Sequence, residues 1–282
     1  MRHTWTGWDG TVWDLTKPRD GVFLMAEGLE GIDMPDMVQH THESAVVHGS
    51  SWEGYQVTGR KVFWPIYLYH DESSEAWINR DRAFWRTLRP GTVGTWTVEL
   101  PGSREQRTLR LRFVGVTPGN SNDPAFRGWQ TYGIEFMVEQ PFWEGPPIIR
   151  SWNNGEQIPL DVWPPITVSP YQTIGNATVA NPGDVESFVK WTVTGPTTSV
   201  QVGVGDGIAI ANFQVPDGSK LVINTDPRNF EATLDGVDVF PQIQRFDTNM
   251  ALPPGDPIRL SLAMGGTGSV QAEFTPLYFR VN

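Results

Sequence analysis

Residues 181–196 read NPGDVESFVKWTVTGP and contain the clearest strand signal of the chain. Val189, Trp191 and Val193 alternate with polar residues, so one face of this segment is apolar and the other polar. Asn-Pro-Gly precedes the alternating run and Gly-Pro follows it, and both are turn sequences. The segment therefore predicts a half-buried β-strand with a scaffolding role, which explains why it carries no nucleophile.

The same alternation recurs along most of the chain. Strands are predicted around 62–68, 96–100, 109–113 and 132–138, and then around 189–193, 200–204, 208–210, 221–223, 230–234, 258–264, 270–274 and 277–281. Asp235-Gly236 is a two-residue hairpin signal, and the Gly-rich run 265–268 is expected to join its two flanking strands as another hairpin. Short strands separated by turns predict a mainly β protein built from β-sandwiches.

Two segments of the first half depart from simple alternation. The strand 62–68 is apolar on both faces, and its Pro65 cannot donate to a ladder, so an edge position or a nearby bulge is expected. Residues 74–89 predict the one α-helix, with Ser73 or Ser74 as N-cap and Pro90-Gly91 as the stop signal.

Composition limits the possible functions. The 282 residues include no cysteine, which excludes disulfides and thiolate chemistry. The net charge is −11, and an acidic surface repels phosphate, so sequence-independent binding of nucleic acid is not expected. Met1–Gly10 has no apolar signal-peptide core, and no window of the sequence approaches a membrane span.

The two halves of the chain differ in composition. Ten of the 13 tryptophans lie in residues 1–150, and proline-rich stretches occupy 139–182. We therefore predict a first domain over 1–150 and a second over 151–282, joined by a linker at about 140–165. WNNGEQI, residues 152–158, is a candidate short hairpin within that connection.

Three patterns were weighed as sites. His40 and His42 of HTHE would share a face on a strand and could bind zinc, but no third ligand is evident. Polar loop residues at a partner surface are the favoured interpretation, and no metal is expected. GVGDG, 203–207, precedes a strand and not a helix, so it predicts a turn and not a phosphate loop. Glu53, Glu135 and Glu139 lie near aromatic residues, but solvated carboxylates are favoured over a glycosidase pair.

One basic cluster stands out against the acidic background. It comprises Arg104, Arg107, Arg110 and Arg112. These side chains either contact an acidic neighbour through bidentate pairs or form a solvated strand face, and the sequence favours neither.

The order of the segments resembles a known family. GRKVFWPIYLY, then a helix ending in FWRTLRPG, then GTWTVEL, RTLRLRFVGV and EQPFWEG resemble the first domain of siphophage distal tail proteins. NPGDVESFVKWTVTGP, KLVINTDPRNFEATLDG and MALPPGDPIRLSL resemble the second domain of that family. The resemblance covers most of 55–282, while residues 1–54 match less clearly. In actinobacterial phages such proteins are often called minor tail proteins.

The resemblance implies a fold and an assembly. The first domain is expected to be a tail-tube-like β-sandwich with one helix, and the second a galectin-like β-sandwich. Six copies are expected to form a hexameric ring that connects the tail tube protein to the tail-tip hub protein. DNA and the tape-measure protein would pass through the ring without specific binding, at the distal end of a virion whose parts are made in the host cytoplasm.

The resemblance also suggests where copies meet. A strand that is apolar on both faces needs cover on both, which makes Phe63, Tyr67 and Tyr69 subunit-interface candidates. Arg107, Arg110 and Arg112 are the charged interface candidates. No catalytic residue, cofactor or metal is predicted, and the protein is not expected to be an enzyme.

Two other functions remain as alternatives. A carbohydrate-binding tail protein would use its galectin-like domain and would expose aromatic residues beside polar ones on one sheet of 183–282. The position of Trp191 among apolar residues weakens that idea. A glycosidase comes third, because it requires two carboxylates in one cleft.

Overall fold

The computed structural model describes residues 1–18, 21–44, 46–102, 105–119, 123–154 and 172–282. The chain forms two compact units. The first comprises Met1–Pro146 and Tyr278–Asn282, and the second comprises Pro147–Leu277. The last five residues thus belong to the first unit, which a single division near residue 150 does not anticipate. The part of the predicted linker over 155–165, and the end of the candidate hairpin at 152–158, lie outside the described residues.

The first unit contains ten strands and two helices among its described residues. They are β1 (Arg2–Thr6), β2 (Val12–Asp14), β3 (Val22–Leu24), β4 (Met37–Ser44), β5 (Val47–Val57), β6 (Arg60–Tyr69), α1 (Ser74–Arg86), β7 (Val93–Glu99), β8 (Gln106–Pro118), α2 (Pro124–Arg127), β9 (Trp129–Val138) and β10 (Trp143–Glu144). Its main sheet has the antiparallel order β2-β1-β7-β8-β9-β6-β3, while β4 and β5 form a separate two-stranded sheet.

The second unit is a β-sandwich. Its strands are β11 (Ile148–Asn153), β12 (Gln172–Thr173), β13 (Thr178–Val179), β14 (Ser187–Phe188), β15 (Lys190–Thr194), β16 (Thr197–Val204), β17 (Gly207–Ala211), β18 (Lys220–Asn224), β19 (Glu231–Leu234), β20 (Val237–Asp238), β21 (Ile243–Phe246), β22 (Ala251–Leu252), β23 (Ile258–Arg259), β24 (Ala263–Gly266) and β25 (Ser269–Phe274). β26 (Leu277–Tyr278) spans the boundary between the units. One sheet has the order β12-β11-β25-β15-β18-β19-β20 and another the order β21-β17-β16-β24.

The core of the first unit explains its tryptophan content. Trp64 lies at the centre, with ring centroids 4.6 Å from Phe136 and 5.3 Å from Trp96. Trp96 in turn lies 5.0 Å from Trp143. Each aromatic ring buries a large apolar area; Trp64 packs edge-on against both neighbours, while Trp143 is tilted against Trp96. Tryptophans therefore fill the space on the inner face of the sheet.

The predicted helix is confirmed. Ser73 is its N-cap, and the Ser73 hydroxyl accepts a hydrogen bond from the Ala76 N–H at 3.1 Å. Trp77 and Phe84 are its buried residues, so its apolar stripe packs on the core. The short helix α2 was not predicted, because four residues carry no usable periodicity.

In the second unit, the strand predicted within residues 181–196 is confirmed as β15. Val189, Trp191 and Val193 are fully buried. The predicted hairpin at Asp235-Gly236 is also confirmed, since φ is +49° and +84° at these two residues, as a tight hairpin turn requires.

The predicted pairing of 258–264 with 270–274 is wrong. Instead of one long strand, 258–264 contains β23, which pairs with β13, and the start of β24, which pairs with β16. β25 pairs with β11 and β15. The Gly-rich run 265–268 therefore does not form the predicted hairpin. At Gly268 the chain passes close to another backbone segment, because a Cβ there would lie 2.2 Å from the Thr194 carbonyl oxygen. The final predicted strand is likewise short, ending at Tyr278.

The expected edge or bulge position for Pro65 is also wrong. β6 pairs without a register shift to β9 on one side, where Pro65 lies opposite Gly133. On the other side, the Pro65 carbonyl accepts a hydrogen bond from the Met25 N–H, just past the end of β3. The Pro65 nitrogen also faces the β3 side of β6. Because β3 pairs only with Ile66–Leu68, the missing N–H of Pro65 removes no hydrogen bond from the ladder.

Arg60 links three distant segments of the first unit. Its buried guanidinium donates hydrogen bonds to the backbone carbonyls of Gly31, Asp33, Pro141 and Phe279, over distances of 2.5 to 2.8 Å. It thereby holds the segment that precedes β4, the connection after β9 and the C-terminal residues together.

We expect the substitution Arg60→Met to lower the free energy of unfolding by about 3 kcal/mol or more, because it leaves buried carbonyls without donors. Urea or thermal unfolding of the purified chain measures this. The adjacent Lys61 is exposed, and Lys61→Met is expected to change stability by less than about 0.5 kcal/mol. Equal losses in the two variants would contradict the role assigned to Arg60.

Candidate functional site

The two motifs considered as metal and phosphate sites lie on a strand and at a turn. The favoured interpretation of His40, His42 and Glu43 from the sequence is polar loop residues. The structure places them on strand β4 instead. No group of three His, Asp or Glu side chains among the described residues is placed to hold a metal ion. Within 203–207, residues 205–206 form the turn between β16 and β17, which confirms the prediction of a turn.

A cleft of about 390 Å³ lies on the second unit. Its described lining residues are Ile174, Gly175, Gln201, Gly205, Asp206, Arg259, Leu260, Ser261 and Leu262. They include one carboxylate and no aromatic ring, whereas a glycosidase needs two carboxylates. The predicted acids lie elsewhere in the chain, Glu53 on β5 and Glu135 on β9, while Glu139 accepts a hydrogen bond from Arg112 at 2.6 Å.

Buried groups with shifted pKa values have packing causes. Burial lowers the pKa of His3 to about 4, and the imidazole stacks on Trp96 with centroids 5.7 Å apart. Burial, followed by the hydrogen bond from its hydroxyl to Asp81, raises the pKa of Tyr132. Burial also lowers the pKa of Arg60 to about 10. These side chains are held in place by the core of the first unit.

The aromatic interface candidates share one face of β6. Phe63, Tyr67 and Tyr69 are each half-buried, and the Tyr69 hydroxyl donates a hydrogen bond to the Pro18 carbonyl. Tyr67 stacks on Trp129 of β9 at 5.9 Å. Phe63 lies over Gly133, where a Cβ would come within 2.6 Å of its ring. The structure therefore groups these aromatic residues into one partly exposed row.

The basic interface candidates already have partners within the chain. Arg107 is 7% exposed, and its guanidinium lies 3.7 Å from the ring centroid of Tyr278. Arg110 pairs with Glu144 at 3.0 Å, and Arg112 pairs with Glu139. Arg104 lies outside the described residues. Much of the positive charge seen in the sequence is thus balanced locally.

The most exposed element is one that sequence reasoning missed. β4 and β5 form a long antiparallel hairpin, and all eight residues of β4 are exposed. Eight residues of β-strand span about 27 Å. Within the described part of the chain, these strands pair only with each other. The alternation of MVQHTHES is polar on both faces, which is why apolar periodicity gave no signal.

The pairing register gives the hairpin two different faces. We call the side with Met37, Gln39, Thr41, Trp52 and Tyr55 the aromatic face, and the side with Val38, His40, His42, Ser51 and Gln56 the histidine face. Trp52 is 63% exposed, its ring lies 6.5 Å from that of Tyr55, and its indole N–H donates to Gln39 Oε1 at 2.8 Å. The aromatic side chains are thus pre-arranged but uncovered.

A second open feature lies at the end of β8. β7 pairs with residues 106–112 of β8, so on that side the remainder of β8 has no strand partner among the described residues. β9 covers the other side and meets a bulge between Phe113 and Gly115. Val114 is 58% and Val116 is 41% exposed. This half of β8, residues 113–118, is an uncovered strand edge that carries apolar side chains, and we call it the free β8 edge.

Solved structures provide the comparison for the whole chain. The crystal structure of SPP1 Dit (gp 19.1), described as a paradigm of the hub adsorption apparatus in phages infecting Gram-positive bacteria, superimposes with a TM-score of 0.69 at 15% identity. The alignment covers 98% of each chain. The chain has the fold of a phage distal tail protein. The Dit fold accounts for the mainly β architecture and for the order of segments that the sequence suggested.

Further comparisons agree with the Dit fold. A chain of the phage P2 baseplate in its activated conformation with Ca superimposes with a TM-score of 0.54 at 13% identity, over 96% of this chain and 97% of that one. The form with Sr gives the same values. No protein-family model and no curated protein matches the sequence. No described helix has the length and apolar character needed to cross a bilayer.

The burial of His3 predicts a pH dependence of stability. Its pKa is about 4 in the folded chain, against 6.5 for an ordinary histidine, so the unfolded chain binds the proton more readily. The contribution of neutral His3 is complete above pH 6.5 and is lost as the pH falls from 6.5 towards 4. We expect His3→Phe to flatten this part of the stability profile, measured by urea unfolding at a series of pH values. Parallel losses in wild type and variant would contradict it.

Proposed function

We propose that this protein is a structural component of a phage tail and assembles through its β4–β5 hairpin. The observation that carries the proposal is the hairpin itself, an exposed two-stranded arm with uncovered aromatic side chains. An isolated two-stranded hairpin is marginally stable in water and gains stability when a face is covered. A second copy of this chain is the occupant we propose.

A closed ring of identical chains needs two different, complementary surfaces on each copy. The aromatic face and strand edges of the hairpin supply one. The free β8 edge supplies the other, because an unpaired strand accepts a further strand through main-chain hydrogen bonds. Val114 and Val116 would then be covered by the arm of the neighbouring copy. Phe63, Tyr67 and Tyr69 are a further surface for the same contact.

The structural neighbours support a role at the end of a tail. SPP1 Dit belongs to a hub adsorption apparatus, and the P2 chain belongs to a baseplate. By this analogy we propose a hexameric ring between the tail tube protein and the tail-tip hub protein, in a virion and without enzymatic activity. Six copies carry six times −11, or −66 formal charges, and if part of this charge lines the channel, DNA would pass without adhering.

The carbohydrate-binding alternative has weaker support. Trp191 is fully buried, and the cleft of the second unit has no aromatic ring among its described lining residues. Phe240 and Phe246 are a partly buried margin of the core, and Phe230, which is 36% exposed, packs on Phe246 with centroids 5.1 Å apart. Among the described residues of 183–282, Phe230 is the one exposed aromatic side chain, which gives a sugar ring little to stack on. The galectin-like character of the second unit stays a prediction.

The aromatic face gives a test of self-association. We expect the double variant Trp52→Ala, Tyr55→Ala to weaken association of the purified chain at least tenfold, because buried aromatic anchors at interfaces contribute about 2 kcal/mol or more. Analytical ultracentrifugation measures this. Unfolding of the monomer should change little, since both side chains are exposed. Unchanged association would contradict the proposed role of the arm.

The absence of cysteine allows a direct test of which surfaces meet. A chain with Thr41→Cys is mixed with a chain carrying Val116→Cys, and a bis-maleimide cross-linker is added. We expect cross-linked pairs, and a chain with both substitutions should give a ladder that ends at a closed ring.

Val237→Cys is the matched control, because Val237 is 67% exposed but lies on the second unit. It should form no cross-link with Val116→Cys. An oligomer that forms without any Thr41–Val116 cross-link would show that copies meet through other surfaces. A chain that stays monomeric at high concentration would count against self-assembly through the arm.

A further inference from the structure

The histidine face of the hairpin brings two imidazoles together. His40 and His42 are alternate residues of β4, so they project from the same side with Cα atoms about 6.7 Å apart. Both are exposed. The residues opposite them on β5 are Gly54 and Ser51, which are small. A Cβ at Gly54 would meet nothing within 4 Å, so the space above His40 is open.

We propose that His40 and His42 form a chelating site for a borderline divalent transition metal ion such as Zn²⁺, Ni²⁺ or Cu²⁺. Neutral imidazole nitrogen is a preferred ligand of these ions, whereas Mg²⁺ and Ca²⁺ prefer oxygen. Two imidazoles from alternate strand positions can turn towards one ion at bond lengths of about 2.0–2.1 Å. The strand conformation of β4 already places both imidazoles on the same face, so metal binding requires only small side-chain rotations.

The site supplies two protein ligands. No third His, Asp or Glu joins them among the described residues, so water completes the coordination. Such a site exchanges its ion and binds less tightly than a closed structural site with four protein ligands. Open positions also leave room for a donor from outside the chain.

The site lies apart from the surface proposed for assembly. Trp52 and Tyr55 project from the opposite side of the hairpin. The third histidine of the arm, His48, is exposed and lies on β5. It falls in the register shift, where Glu43 pairs with Ser50 but Ser44 pairs with Val47. It is therefore not among the residues of β5 that lie opposite His40 and His42. The metal proposal therefore does not depend on ring formation, and His48 provides a matched control.

Calorimetric titration of the full-length chain with ZnCl₂ and with NiCl₂ tests the proposal, with MgCl₂ as the control ion. We expect one zinc ion per chain, and His40→Gln and His42→Gln should each weaken binding at least tenfold. His48→Gln should leave the affinity as in wild type. Because the metal binds neutral imidazole, the ion should be released on acidification to about pH 5.

A variant that is expected to bind zinc more tightly provides a second test, because loss of binding in a glutamine variant could also result from misfolding. Ser51→His places a third imidazole opposite His42, and we expect zinc affinity to rise at least tenfold, because catalytic zinc sites use three protein ligands. Circular dichroism of each variant checks the fold. Binding that survives both glutamine substitutions, binding that depends equally on His48, or an undiminished response to Mg²⁺ would each overturn the proposal. So would a wild-type chain that gives no binding heat with Zn²⁺ or Ni²⁺.

Discussion

The first unit depends on a buried positive charge that has no buried carboxylate beside it among the residues that the structure describes. The Arg60 guanidinium donates to four backbone carbonyls, and burial lowers its pKa to about 10 although Asp33 and Asp36 act in the opposite direction. Removing an ion from water costs several kcal/mol unless its hydrogen bonds are replaced. Here the carbonyl dipoles replace them, and three segments must keep their positions for this to hold. The ordering of those segments is therefore coupled to one side chain.

The hydrogen bonds of Arg60 also help to fix the base of the exposed β4–β5 arm. Arg60 bonds the Asp33 carbonyl, and the Asp36 carbonyl accepts the Thr58 N–H at 3.1 Å at the base of the hairpin. Beyond this base, β4 is exposed along its whole length. Local stability follows the number of buried apolar contacts, and the exposed side chains of β4 make few of them. A partner that covers it would stabilise the arm without changing the direction set at its root.

The sequence predicts elements well where one face is apolar. Val189, Trp191 and Val193 define a strand, and Ser73 with Trp77 and Phe84 defines the helix, because capping and periodicity are local properties. Pairing is not local. Ile258 to Met264 alternates correctly, yet within it the chain changes from pairing with β13 to pairing with β16, and alternation carries no information about that change.

The candidate site was harder to predict than the fold. β4 has no apolar alternation, so the arm gave no signal, and the free β8 edge exists only because β7 is shorter than β8. Arg107 is predicted as an interface residue, and within the chain its guanidinium packs on Tyr278, which lies 171 positions further along the chain. A contact between residues so far apart in the sequence can be predicted only once the fold is known. By contrast, the shared face of His40 and His42 follows from alternation alone once the segment is known to be a strand.

The geometry of the root also bears on the number of copies in an assembly. A contact between two different surfaces repeats with a constant rotation, and it closes into a ring only if that rotation divides a full turn. In the assembly proposed here, the rotation is set by the angle at which the arm leaves the unit and by the position of the free β8 edge. Both belong to the first unit, where Arg60 ties the segment before the arm to the connection after β9. The direction in which the arm leaves the unit would thus depend on the hydrogen bonds of a buried guanidinium, remote from the residues that make the contact.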